Sequence, residues 1–159
     1  MIECITVSGG KKVVTKDRLI LRVAVYGIVI TDDNKVLMVN SSHNKKYYFP
    51  GGGLTLGTSL KETLLEEVRE ETGIDVEILN LVDIKENYFY YDPVDEAYHN
   101  IAFFYLCKPL NFDLIANENI KDADAQDPAW LPIATLDKEA INPPASEFVD
   151  FLKSYKKEE

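Results

Sequence analysis

The chain is short of positive charge, of cysteine and of histidine, and each shortage excludes something. Its 17 Lys and Arg stand against 27 Asp and Glu in 159 residues, a formal net charge of −10. An extended phosphate backbone needs a basic surface, so an extended nucleic acid is excluded as partner. A small phosphorylated ligand is not excluded, because a bound cation reverses the local sign. Cys4 and Cys107 are the only cysteines. They lie far apart, form no metal-binding spacing, and read as plain thiols in a reducing compartment. The only histidines, His43 and His99, fall in a polar loop and at the start of an apolar segment. Surface or hydrogen-bonded structural roles suit both, and no Ser-His-Asp or Cys-His pair is indicated. No apolar run approaches the ~18 residues of a membrane span. The opening MIECITVSGGKK lacks the sustained apolar core of a secretory signal. The expected setting is cytoplasmic, with no membrane partner.

What the chain does have is concentrated in residues 50–74, PGGGLTLGTSLKETLLEEVREETGI. Pro50-Gly51-Gly52-Gly53 is a run where the backbone can take positive φ and let a ligand come close. Ser59 followed by Glu62 has the spacing of a capping box, and Gly73 is a left-handed helix stop. Together they predict a glycine loop feeding a helix of about fifteen residues. Leu60, Leu64 and Val68 form its apolar stripe. Glu67, Glu70 and Glu71 are spaced i, i+3, i+4 and cluster on one side, where like charges repel. Glu67 and Glu71 border the apolar stripe, while Lys61, Glu62, Glu66 and Arg69 make the polar face. Carboxylates beside a glycine loop suit a hard divalent cation with phosphate oxygens. An acidic, solvated helix accounts for the same spacing.

The segment resembles the Nudix box, G-x5-E-x7-R-E-U-x-E-E-x-G-U, where U is a bulky aliphatic. Anchored on Gly73 and Ile74, the matches are Gly52, Glu67, Val68, Glu70, Glu71, Gly73 and Ile74. Thr58 stands where the family has glutamate, and Glu66 where it has arginine. That glutamate and arginine commonly pair. Changing both leaves no lone buried charge, which suggests a re-tuned scaffold. The resemblance implies a metal-dependent hydrolase that cleaves a phosphoanhydride in a nucleoside diphosphate linked to X, or in a nucleoside triphosphate. It implies Mg²⁺ or Mn²⁺ held by Glu67, Glu70, Glu71 and the Gly51 carbonyl, with one glutamate, Glu70 first, serving instead as base. In parts of the family the base comes from the loop before the final strand; Glu118, Asp124 and Asp127 are the candidates here. A domain that binds a nucleotide without cleaving it is the alternative, motivated by Thr58 and Glu66. A homodimer is an open option.

The remaining segments predict the frame around the box. Ile5-Thr6-Val7 reads as a short strand within a basic arm over residues 1–19, containing Lys11, Lys12, Lys16 and Arg18. Residues 20–30, LILRVAVYGIV, are apolar on both alternating faces, as in a strand covered on both sides. A turn at Thr31–Asn34 and the strand Lys35–Val39 suggest a hairpin. Lys45 and Lys46 lie close to the glycine loop and are candidate phosphate contacts, as are Gly52 and Gly53. Val76–Tyr91 reads as extended chain. In its aromatic run Tyr88 and Tyr90 face one way and Phe89 and Tyr91 the other. Tyr88 and Tyr90 are candidate substrate contacts. His99–Cys107 reads as a second doubly covered strand, residues 111–127 as an acidic loop, residues 128–133 as a short strand, and residues 146–155 as a closing helix. The tail from Lys156 is expected to fray. A single domain over residues 1–159 follows, an α/β/α sandwich around a central mixed β-sheet.

Overall fold

The computed structural model describes residues 1–156. Its strands are β1 (Ile2–Thr6), β2 (Lys11–Val14), β3 (Leu19–Val29), β4 (Lys35–Ser41), β5 (Tyr47–Tyr48), β6 (Gly51–Gly53), β7 (Val76–Tyr91), β8 (Glu96–Pro109) and β9 (Ala125–Pro132). Helix α1 (Leu60–Thr72) lies between β6 and β7, and α2 (Val149–Ser154) follows β9. Six strands form one sheet in the order β2-β1-β7-β8-β3-β6, and β5-β4-β9 form a second. The β3–β8 and β1–β7 pairings are parallel and the others in the larger sheet antiparallel, so the sheet is mixed, as expected.

The alternation in β3 explains the two layers of core. Ala24 and Ile28 face a cluster completed by Phe104, Phe148, Val149 and Leu152, on the side of α2. Val25 and Val29 face the other way, onto Leu64 and Val68 of α1. Burying each of these larger aliphatic side chains contributes about 1.5–3 kcal/mol. Double cover holds only for the second half of the strand: Ile20 and Leu21 are exposed, because neither helix reaches them. The expected hairpin after β3 is reduced to a turn. Thr31 N–H donates to Lys35 O at 2.9 Å, one bridge joins Ile30 to Val36, and β4 then leaves for the second sheet. Both edges of β3 are already taken by β8 and β6, so β4 has none to pair with.

Within the arm over residues 1–19, β1 and β2 join the larger sheet. The β1–β2 hairpin docks on the end of β7 and closes a small core of Cys4, Val14, Tyr90 and Ala97. The closing helix is shorter than expected: a 3-10 turn at Ala145–Phe148 precedes α2. Residues 157–159 of the tail lie outside the described residues. No helix among the described residues is long and apolar enough to cross a membrane.

Candidate active site

Helix α1 is fixed at both ends by the residues that predicted it. Ser59 Oγ accepts from the Glu62 N–H at 3.1 Å, and Glu62 accepts from the Ser59 N–H at 3.2 Å. Gly73 ends the helix at φ 79°. Val68, Leu64 and Thr72 are buried, which locks the rotation of the helix and turns Glu67 and Glu71 toward β6. Strand β6 approaches closely because it is glycine. A Cβ on Gly51 would lie 2.1 Å from the Val25 carbonyl oxygen. A Cβ on Gly52 would lie 3.0 Å from the Glu67 carboxyl carbon.

Glu67, Glu71 and Asp122 converge here, each offering an oxygen within 4.8 Å of the others. Glu71 is almost fully buried. Its Oε1 accepts from the Gly51 N–H at 2.8 Å, and its Oε2 has no partner. Burial, opposed by the Gly51 bond and reinforced by Asp122, holds the Glu71 carboxyl well above the usual range. Burial first, then the charges of Glu70, Asp122 and Glu66, push Glu67 up to about 7; Arg22 opposes them. Three crowded carboxylates with an orphaned buried oxygen form a donor set suited to a hard divalent cation. The residues therefore fit the metal that the resemblance implies.

These groups lie on one side of a cleft of about 460 Å³. The far wall carries Phe89 and Tyr98, stacked with centroids 5.0 Å apart. A polar chain runs beside them. Arg22 Nη1 donates to Asn100 Oδ1 at 2.9 Å, and Asn100 Nδ2 donates to Asn87 Oδ1 at 3.0 Å. Tyr91, His43 and Asp124 complete the rim, and Ile5, Thr6 and Val7 contribute from the N-terminal hairpin and its turn. Burial and then the bond to Asp124 push the Tyr91 hydroxyl up to about 12, so it is a donor at neutral pH.

Glu67, Glu71, Gly51, Gly52 and Gly53 all line this cleft. Glu70 is exposed and outside the carboxylate group, although its charge acts on Glu67 and Glu71. Lys45 and Lys46 are exposed and do not line the cleft. Tyr88 and Tyr90 face away, Tyr90 into the core under the N-terminal hairpin; the pair on the cleft is Phe89 and Tyr91. Of the loop acids, Asp124 reaches the rim. Asp127 is exposed and bonded to Asn117, and Glu118 is exposed in a 3-10 turn; neither lines the cleft. Thr58 closes a turn through its N–H to Thr55 O at 3.1 Å, and Glu66 is exposed. Three basic residues of the arm pair with acids off the cleft: Lys11 with Glu3, and Lys12 and Arg18 with Asp95. Sequence reasoning missed Asp122, Arg22, Asn87 and Asn100. Only Asp122 left a signal, as one acid among several in the acidic loop.

The profile of the NUDIX domain matches residues 20–152. This chain belongs to the Nudix family. By that membership it is a pyrophosphohydrolase. An ADP-ribose pyrophosphatase of Methanocaldococcus jannaschii is 31% identical over 137 residues, covering 82% of this chain and 78% of that protein. Among solved structures, a NUDIX hydrolase from Nitrosomonas europaea has TM-score 0.64 at 22% identity, covering 84% of this chain and 88% of that one. A MutT NUDIX hydrolase from Burkholderia pseudomallei has TM-score 0.65 at 16% identity, covering 82% and 97%. At these identities the two structures show the shared Nudix α/β/α fold. The β6–α1 unit carries the segment that resembles the Nudix box, and its Glu67 and Glu71 line the cleft.

Proposed function

We propose that this protein hydrolyses the phosphoanhydride of a nucleoside diphosphate linked to a second group, with Mg²⁺ or Mn²⁺ as cofactor, in the cytoplasm. The observation that carries this is the Glu67–Glu71–Asp122 group, with its unpartnered Glu71 Oε2, facing the cleft. In this reading Glu71 is oriented through Oε1 by the Gly51 N–H and offers Oε2 to the ion. Glu67 and Asp122 offer one oxygen each. When bound, the ion neutralises charge on the phosphoryl oxygens and acidifies water. Glu70 lies outside the ligand group and takes the proton of the attacking water. Arg22, beside Gly53 and half-buried against Tyr26 and Asn100, holds positive charge in the cleft and suits a diphosphate there.

The far wall supports a nucleotide. Phe89 and Tyr98 present aromatic surface, and stacking of a base on such a wall contributes about 1–3 kcal/mol. The amides of Asn87 and Asn100 border it. The relative from Methanocaldococcus jannaschii makes ADP-ribose the first compound to test.

Two substitutions separate the roles. Glu70→Gln should lower kcat while leaving Mn²⁺ bound. Asp122→Asn should weaken Mn²⁺ binding itself. Loss of Mn²⁺ binding in Glu70→Gln would reverse the assignment.

A further inference from the structure

Asp122 is the exposed member of the carboxylate group, and it comes from a loop outside any helix or strand. Two other carboxylates stand within 4.8 Å of it, so like-charge repulsion drives it outward. Something must hold the loop in. The contacts that do so converge two residues on, at Asp124.

The Asp124 N–H donates to Asp122 Oδ1 at 2.8 Å and so aims that carboxylate. The Asp124 side chain accepts from His43 Nε2 at 2.5 Å, and from the Tyr91 hydroxyl at 2.9 Å to Oδ1 and 3.2 Å to Oδ2. Hydrogen bonds to a carboxylate are stronger than neutral ones. The main chain adds two grips: Ser42 N–H on Asp124 O at 3.0 Å, and Ser42 Oγ on Ala123 O at 2.9 Å. His43 and Tyr91 also meet edge to face, with centroids 5.6 Å apart. The β4–β5 turn, the end of β7 and the loop before β9 thus meet on one side chain. With His43 and Tyr91 both donating to it, Asp124 is a hub of the rim.

We infer that His43, Asp124 and Tyr91 are positioning residues, forming a latch that keeps Asp122 facing Glu67 and Glu71. The inference rests on the proposed reading in which that group holds the divalent ion. It gives His43 a role through Asp124, with no contact to the reacting atoms. It also explains why the β4–β5 turn belongs to the site although its lysines point elsewhere.

The test uses the full chain with Asp124→Ala, Tyr91→Phe, His43→Gln, Asp122→Asn and the Asp122→Asn/Asp124→Ala double variant. Mn²⁺ affinity is read by electron paramagnetic resonance of the free ion, beside the metal-free melting temperature, kcat and KM. Asp124→Ala should weaken Mn²⁺ binding by about tenfold or more, as losses behind a ligand do. It should lower kcat with KM little changed and leave the metal-free melting temperature near that of the parent. Tyr91→Phe and His43→Gln should move the same quantities the same way by less. The double variant should be no worse than Asp122→Asn alone, because the latch acts only through Asp122. Parental Mn²⁺ affinity in Asp124→Ala, or additive losses in the double variant, would overturn the latch. If Asp124→Ala unfolds, Tyr91→Phe decides, and parental Mn²⁺ affinity in it counts against the latch. The two readings fail separately. A parent that hydrolyses nothing, with Asp124→Ala still matching Asp122→Asn in Mn²⁺ affinity, removes the hydrolase and keeps the latch. An inactive Glu67→Gln beside a parent-like Asp124→Ala does the reverse.

Discussion

The two carboxyl oxygens of Glu71 stand in different surroundings. The Gly51 N–H fixes Oε1, and Oε2 is left buried without a partner, a costly arrangement unless a cation meets it. Glu71→Gln keeps an acceptor for Gly51 and removes the buried ionisable group. It should raise the metal-free melting temperature at pH 8 while abolishing the stabilisation by Mn²⁺, and thermal scans with and without the ion check both. Gly51→Ala acts on the scaffold. Its Cβ would meet backbone atoms of Val25 and Tyr26, which cannot rotate away. The expected loss is about 1–3 kcal/mol or more in denaturant unfolding. Residues inside the box were legible because helix spacing translates directly into shared position. Asp122 was not, because a contact between a loop and a helix some fifty residues earlier leaves no local pattern. The aromatic run shows the other limit. Alternation paired Phe89 with Tyr91 correctly, but which pair faces the cleft depends on the N-terminal hairpin covering Tyr90.

Elements with their own start and stop chemistry were read closely. Helix α1 has both halves of its capping box and its left-handed glycine, so its span Leu60–Thr72 follows from local residues. Ser59→Ala should cost about 0.5–2 kcal/mol of stability, seen as a lower denaturant midpoint at unchanged slope. The turn at Thr31–Asn34 was equally legible, but its strands part because pairing is decided by which sheet edges are free. Strand β7 is a single element of sixteen residues with register shifts near Ile78–Asn80 and Leu81–Asp83. Those irregularities decouple the side-chain alternation of its two ends, which periodicity alone does not reveal. The closing helix kept its apolar face, with Phe148, Val149 and Leu152 buried, although its first four residues wind as a 3-10 turn.

For the molecule as a whole, the crowded carboxylates set a pH dependence. Burial and neighbouring carboxylates push Glu67 up to about 7, above the ordinary carboxylate range, and Glu71 is also raised. The folded protein therefore binds more protons than the unfolded one between these values, and stability falls as pH rises through that window. The metal-free protein should melt higher at pH 5.5 than at pH 8. Added Mn²⁺ should stabilise more at pH 8 than at pH 5.5, because the ligands must lose their protons to bind it. A metal-free melting temperature that climbs from pH 5.5 to pH 8 would contradict this. The measurement closest to the central claim is product-resolved hydrolysis across ADP-ribose, nucleotide sugars, nucleoside triphosphates, dinucleoside polyphosphates and NADH, each with Mg²⁺ and with Mn²⁺. One compound should be cleaved at its phosphoanhydride far faster than the rest, with turnover abolished by chelation and by Glu67→Gln/Glu71→Gln in a folded protein. Silence across the panel while nucleotides still raise the melting temperature, or full activity in that double variant, would contradict it.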